Sequence, residues 1–524
     1  MKKEDSRKEG MSRRDALKIL GIGSLIPLIP AVSGQASAGY WGGSDAPGLI
    51  FLVGDGMPLG VTRAMHEIRT GHFGAPDSQL YALLRDRHTV VSYMGTQSLS
   101  SLVTDSAPAS AAWSTGSHTA NGMLAALPDG TPLKTIMEIL DERGLSTGLV
   151  TTTRVTHATP AAWVSHNTNR DLEDAIAVDY LNFEPTVLLG GGSRHFDPAK
   201  RSGGRDLFAE FGTAGYDVLR TRASLESYAA ALPNDRKLLG LFNASHMSYY
   251  LDRLNNPALG DAEPTLGEMA AVALKKLSRN RKGFILQVEA GRIDHAAHAN
   301  DAWGSIMDCV EMDLALEVIL NYMKWHPNTL LIITSDHGNS GWGINGTGPS
   351  YNDAATALKK YTPITATLET IAPQLKKKTP SEIQSIVKQY TTFDIAGFEA
   401  QMIYDSLQPG FKHYPGDFSY LAETVLGKIL AHNDSAANPP IRRGNVGFTS
   451  NNHTAEDQLV VIYGSAGRAM GVPGYVDNTD LFKVMCKFFH VRFTNPTMTS
   501  TAAKPYIRTA SREEWERHLR LHVS

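Results

Sequence analysis

The stretch Gly283 to His298, GFILQVEAGRIDHAAH, constrains this chain more than any other. Its apolar run, Phe284 to Val288, follows Gly283 and stops at Glu289. That reads as a buried strand with a carboxylate at its exit. A short turn through Gly291 leads to Asp294, His295 and His298. Asp294 and His298 are four apart, so one helical turn puts both on the same face. A pair of this kind suits a borderline metal ion such as zinc, although a helix-surface ion pair or a cap has the same spacing. The deciding question is whether other strands end in the same way.

They do. Pro47 to Met57 is an apolar run closed by Gly-Asp-Gly, which leaves Asp55 at the strand exit. Thr329 to Thr334, TLLIIT, runs into Ser335, Asp336, His337 and Gly338. Ser146–Thr153, Thr186–Leu189, Leu238–Phe242 and Leu459–Ile462 read as further strands. Leu133–Leu140, Glu268–Leu277, Asp301–Met323 and Asn478–Phe489 have helical periodicity. Alternation of this kind predicts an α/β fold with a large central, mostly parallel sheet between helix layers. In such sheets ligands gather beyond the carboxyl ends of the strands. Gly190-Gly191-Gly192 reads as a tight strand-to-loop turn, with phosphate cradling the weaker alternative.

Val103-Thr104-Asp105-Ser106-Ala107 leads into a small-residue helix, Ala109 to Thr115. Ser106 there is an N-cap on the bland reading and a nucleophile on the functional one. A helix N-terminus favours a bound anion. The segment lacks the G-x-S-x-G elbow, so a metal ion is the candidate activator of its hydroxyl. From about residue 340 to 451 the strand–helix rhythm stops, and helical stretches at Pro380–Tyr390 and Leu421–His432 mark an insertion that forms a crown or lid. The run Lys376-Lys377-Lys378 reads as a solvated helix end.

With 42% hydrophobic and 20% charged residues in a chain of 524, the composition is that of a globular protein. A formal net charge of -3 argues against a general nucleic-acid binder. Cys309 and Cys486 lie in apolar stretches with no metal-type spacing and read as buried thiols, with a disulfide between them left open. Ser12 to Lys18 carries a twin arginine, followed by a short apolar run broken by glycine and proline and by a small-residue site, Ala36-Ser37-Ala38. Residues 1–38 are therefore expected to be a twin-arginine export signal with no membrane anchor, giving a periplasmic or extracellular protein. Residues 39–510 are expected to form the catalytic region, and 511–524 a charged tail within a stretch from Ala502 that holds one short helix.

Taken together, VGDGM, VTDSA, HATPAA with Arg170 downstream, VEAGRIDHAAH, TSDHGN and HTAED resemble, in order, the motifs of the alkaline phosphatase family. The resemblance runs from about Leu49 to Phe489 and is weakest in the insertion. It implies two Zn2+ and one Mg2+ per chain. Asp294, His298 and His453 resemble the ligands of one zinc, and Asp55, Asp336 and His337 those of the second. Asp55, Thr159 and Glu289 resemble the magnesium ligands. Ser106 resembles the serine that is phosphorylated and then hydrolysed, and Arg170 the arginine that clamps two phosphate oxygens. The implied substrates are small phosphate monoesters, with inorganic phosphate as product. The family also admits a homodimer.

His157 and His295 stand beside the site where some bacterial members carry Asp and Lys. Without a lysine at 295, phosphate is expected to be held less tightly. Pro108 is unusual two residues after the nucleophile, but proline is tolerated in a first helical turn. A phosphodiesterase or sulfatase of the same superfamily is the alternative, although Ser110 stands where the sulfatase motif has arginine.

Overall fold

The computed structural model describes residues 41, 46–233, 236–346, 351, 354–408, 411, 421–431, 446–508 and 511. The export signal and most of the tail lie outside them. The described strands are β1 (Gly48–Gly54), β2 (Val90–Gly95), β3 (Ser146–Arg154), β4 (Val187–Gly191), β5 (Tyr216–Leu219), β6 (Lys237–Leu241) and β7 (Phe284–Ala290). They continue with β8 (Thr329–Thr334), β9 (Gly338–Asn339), β10 (Gly343–Ile344), β11 (Val446–Gly447), β12 (His453–Thr454), β13 (Gln458–Tyr463) and β14 (Tyr475–Asp477).

A 10-stranded sheet has the order β14-β2-β13-β8-β1-β7-β3-β4-β6-β5. Every strand in it runs the same way except β13, which is antiparallel to both β8 and β2. This is the mostly parallel sheet expected from the alternation of strands and helices. Its central strands have helices on both faces, so consecutive residues feed opposite cores. Leu49, Phe51 and Val53 belong to one apolar cluster, and Ile50 and Leu52 to the other. Burial on both sides is why β1, β7 and β8 read as near-continuous apolar runs, interrupted in β7 by the buried Gln287, rather than as alternating ones.

Several local expectations shift. The helix expected at Leu133–Leu140 is Ile136–Asp141, started by a capping box between Thr135 and Glu138. The helix expected from Ala109 begins at Ser106, and its cap is Asp105, whose carboxylate accepts from the Ala107 N–H. Ser106 is therefore the first helical residue and not the cap. The triple glycine is the end of β4 and the turn after it. Cys309 and Cys486 are both free and buried, in the two apolar cores that flank the sheet, so they form no disulfide. The described part of the C-terminal region holds the short helix Ser500–Ala503 and a tight turn after it.

The insertion is a closed excursion. Its way in and its way out are stitched together by β9 with β12 and by β10 with β11, both antiparallel. Between them the helices Leu368–Leu375, Pro380–Thr391, Gly397–Ser406 and Leu421–Ala431 share a separate small core that includes Leu368, Ile371, Ile383, Ile403 and Leu426. His432, at the end of the expected last helix, lies outside the described residues. Lys376 and Lys377 are exposed just past a helix end, as expected.

Candidate active site

The central strands deliver their acids to one edge. Register pairs Val53 of β1 with Glu289 of β7 and with Thr334 of β8. Asp55, Glu289 and Asp336 therefore arrive at nearly the same level. The Arg292–His298 helix then lays Asp294 across the end of β1. That approach needs Gly56, which has a positive φ and whose Cβ would stand 2.2 Å from Asp294 Oδ1. The β9–β12 pairing brings in the last histidine: the His453 ring stacks on that of His337 at 3.6 Å.

Three groups of possible ion ligands result among the described residues, each with its ligand atoms within 4.8 Å of one another. They are Asp294, His298 and His453; Asp55, Asp336 and His337; and Asp55, Glu289 and His157. The first two are the sets expected from the motifs. In the third, Thr159 donates its hydroxyl to Asp55 Oδ2 at 3.3 Å, as a member of that group should. His157, expected only as a neighbour of substrate, also joins it. Its Nε2 lies 3.0 Å from Arg170 Nη2, and a guanidinium only donates, so His157 borders the oxygen set while its lone pair is directed at Arg170.

The chemistry of these donors fits cations. Nδ1 of His298 lies 2.7 Å from the Asn451 carbonyl, and Nδ1 of His453 lies 3.0 Å from the Thr104 carbonyl. Nδ1 of His337 lies 3.2 Å from the Gly338 carbonyl. A carbonyl only accepts, so each Nδ1 carries the proton and each Nε2 presents a lone pair inward. Nε2 of His298 and Nε2 of His453 then face each other at 3.1 Å, with Asp294 Oδ2 at 3.2 Å from the former. Lone pairs converging in this way repel unless a cation lies among them. Oxygens Asp55 Oδ1, Asp336 Oδ2 and Glu289 Oε1 are also buried with no hydrogen-bond donor, a costly arrangement for a carboxylate without a counter-charge.

The electrostatics agree. Burial, then the carboxylates of Asp336, Asp294 and Glu289, push the Asp55 carboxyl well above the usual range. Burial raises Glu289 to about 7. Burial also pushes His337 down, but the Asp336 carboxylate beside it outweighs that and holds the imidazole above its ordinary value. His295 goes well below its ordinary value, through burial and then the Arg292 guanidinium.

Ser106, fully buried at the helix start, has its Oγ 3.3 Å from His337 Nε2. Arg170 reaches the same place. Its Nη1 donates to Asp105 Oδ1 at 3.1 Å and its Nη2 lies 3.0 Å from His157 Nε2. Asp105 thus does two jobs, capping the helix and orienting the guanidinium, and its other oxygen accepts from the Gly122 N–H. His157 and His295 stand edge-on, with ring centroids 5.5 Å apart. Every expected site residue is therefore in one cluster, buried except for the partly exposed His453.

Sequence reasoning missed the residues that hold these groups. Asn339 donates to the Asp294 carboxylate, and Thr151 and Thr153 donate to Glu289. Asn339 sits inside the TSDHGN run, so its place beside two ligands was a usable signal. The threonines alternate along β3, facing the strand that carries Glu289.

Comparison with known proteins decides the family. The family model for alkaline phosphatase matches residues 46–491. The chain belongs to the alkaline phosphatase family. Alkaline phosphatase 4 of Bacillus subtilis is 29% identical over 460 residues, which are 86% of this chain and 91% of that one. The crystal structure of Thermus thermophilus alkaline phosphatase is 34% identical, has a TM-score of 0.81, and covers 91% of this chain and 99% of its own. The cold-active alkaline phosphatase of Shewanella sp. is 30% identical, with a TM-score of 0.68, over 84% of this chain and 99% of its own. As an alkaline phosphatase the protein is a metal-dependent hydrolase of phosphate monoesters. Among the described residues no helix is long and apolar enough to cross a membrane.

Proposed function

We propose that this alkaline phosphatase works through a phosphoserine on Ser106, at a site for two Zn2+ and one Mg2+. The observation that carries this reading is the convergence of Ser106 Oγ, Arg170 and the buried acid and imidazole groups on one point at the sheet edge. Asp294, His298 and His453 would hold one zinc, and Asp55, Asp336 and His337 the second. Asp55, Thr159 and Glu289 would hold the magnesium, with His157 beside them. Bound there, the cations would neutralise phosphoryl oxygens and lower the proton affinity of a hydroxyl or water close by.

The chain's own groups divide the remaining work. Ser106 Oγ attacks phosphorus, so an Oγ–P bond forms while the bond from phosphorus to the alcohol oxygen breaks. Water then attacks the phosphoserine and the Oγ–P bond breaks, releasing inorganic phosphate and returning Ser106. The Arg170 fork holds two non-bridging oxygens of the dianion in both steps, with Asp105 fixing its direction. The N-terminus of the Ser106–Thr115 helix adds a favourable field for an anion. His157 and His295 complete the wall around the phosphoryl group.

Turnover of p-nitrophenyl phosphate, bis-p-nitrophenyl phosphate and p-nitrophenyl sulfate tests the substrate class. The monoester should be strongly preferred, because the arginine fork and several cations match a dianion. Preference for the diester or the sulfate ester would move the enzyme to another activity of the superfamily. Arg170→Ala should weaken inhibition by phosphate and slow monoester turnover with metal content unchanged. Loss of zinc in that variant would show that Arg170 has been given the wrong role. The twin arginine at Arg13 and Arg14, with the apolar run after it, supports export to the periplasm or beyond. Fusion of residues 1–38 to a reporter should export it only while both arginines are present.

A further inference from the structure

The insertion grips the helix that carries Asp294, His295 and His298. Asp301, just beyond that helix, accepts the Leu368 N–H at 2.8 Å, and Asp252 takes both the N–H and the hydroxyl of Thr367. Farther along the insertion, Gly427 lies so close to the Ala299 and Asn300 carbonyls that a Cβ there would stand 2.5 Å from the Asn300 oxygen. Between these anchors one side chain of the insertion reaches toward the site. Glu369 Oε2 accepts from Arg292 Nη2 at 2.6 Å. Arg292 is 1% exposed, with its guanidinium 3.8 Å over the Tyr249 ring, so it has little freedom to turn. Its other arm, Nη1, lies 2.8 Å from His295 Nδ1.

A guanidinium only donates. Nδ1 of His295 therefore accepts, and its ring proton sits on Nε2. This is the reverse of His298, His337 and His453, whose Nδ1 atoms donate to carbonyls and whose Nε2 lone pairs face inward. His298, His337 and His453 are thus set as ligands, whereas His295 in the same cluster is set as a hydrogen-bond donor.

Building on the reading of His295 as a substrate-binding residue, we propose that Glu369 is a positioning residue. Through Arg292 it sets the tautomer and orientation of His295, so that Nε2–H is presented to the phosphoryl group. The insertion thereby tunes how tightly phosphate is held without touching it.

A double-mutant cycle tests this. Glu369→Ala should raise the inhibition constant of inorganic phosphate and the KM of a monoester by roughly three- to tenfold, the worth of one well-made hydrogen bond. kcat should fall by less than KM rises, and zinc content should be unchanged. Glu369→Gln, which keeps an acceptor for Arg292, should restore most of the affinity. In a His295→Ala background, Glu369→Ala should change nothing further. Should the alanine variant not fold, Glu369→Met, which keeps the length of the side chain but removes the acceptor for Arg292, reads the same coupling in the same cycle. Unchanged phosphate inhibition in Glu369→Ala, or an equal loss in both backgrounds, overturns the proposal. If His295→Ala alone leaves phosphate inhibition unchanged, the prior assignment of His295 fails, and this inference fails with it.

Discussion

Ser106→Ala should lower monoester turnover on the order of a thousandfold or more while leaving a folded, metal-loaded protein. The structure sharpens this result, because it removes the bland explanation of Ser106. Asp105 caps the helix, and Ser106 is the residue after it. Loss of a cap would cost about 1 kcal/mol. Serine to alanine inside a helix instead gains about 0.5 kcal/mol in propensity, set against loss of the contact between Oγ and His337. The melting temperature should therefore barely move. Asp105→Ala is the contrasting variant. It should lose stability and weaken phosphate binding together, since Asp105 both caps the helix and holds Arg170. A Ser106→Ala enzyme with near-normal turnover would mean that the nucleophile lies elsewhere.

Stripping the metals should abolish activity, and zinc with magnesium should restore it. The physical ground is the set of buried carboxylates at Asp55, Glu289, Asp294 and Asp336, in which Asp55 Oδ1, Glu289 Oε1 and Asp336 Oδ2 have no hydrogen-bond donor. The same site predicts a pH signature for the stripped protein. Asp55 and Glu289 are both raised by burial and by their acidic neighbours, Glu289 to about 7. A carboxyl whose folded pKa lies above its unfolded value stabilises the fold at pH values below the unfolded one. That contribution is lost as pH rises through the folded value. Metal-free protein should thus melt at a progressively lower temperature between about pH 4.5 and 7. Metals should raise the melting temperature more at pH 8 than at pH 5. Full activity after chelation, or equal stabilisation by metals at both pH values, would count against the site.

Much of this site could be read without a structure, for a specific reason. Its ligands sit at the exits of β1, β7 and β8, strands buried on both faces. A near-continuous apolar run that stops at an acid is visible in one dimension. The Asp294/His298 pair is equally local, because helical spacing alone puts both on one face. What stayed hidden depends on contacts between distant segments. The two-residue strands β9 and β12 are too short to leave a periodic signal, yet their pairing sets His453 on His337. The meeting of Glu369 with Arg292 joins positions 77 apart, across the boundary of the insertion. His157 was placed beside substrate by the family resemblance alone, and a position in a motif does not reveal which neighbours its side chain meets. The helix start was misplaced because serine and aspartate both cap well, and only the backbone shows which one does so.

The most direct test is to quench the wild-type enzyme in acid during turnover of a monoester labelled in its phosphate, then digest it and map the label. The account predicts phosphate bound to the peptide that contains Ser106, and no label in Ser106→Ala. Wild-type enzyme trapped at full turnover with that peptide unlabelled would contradict the phosphoserine route.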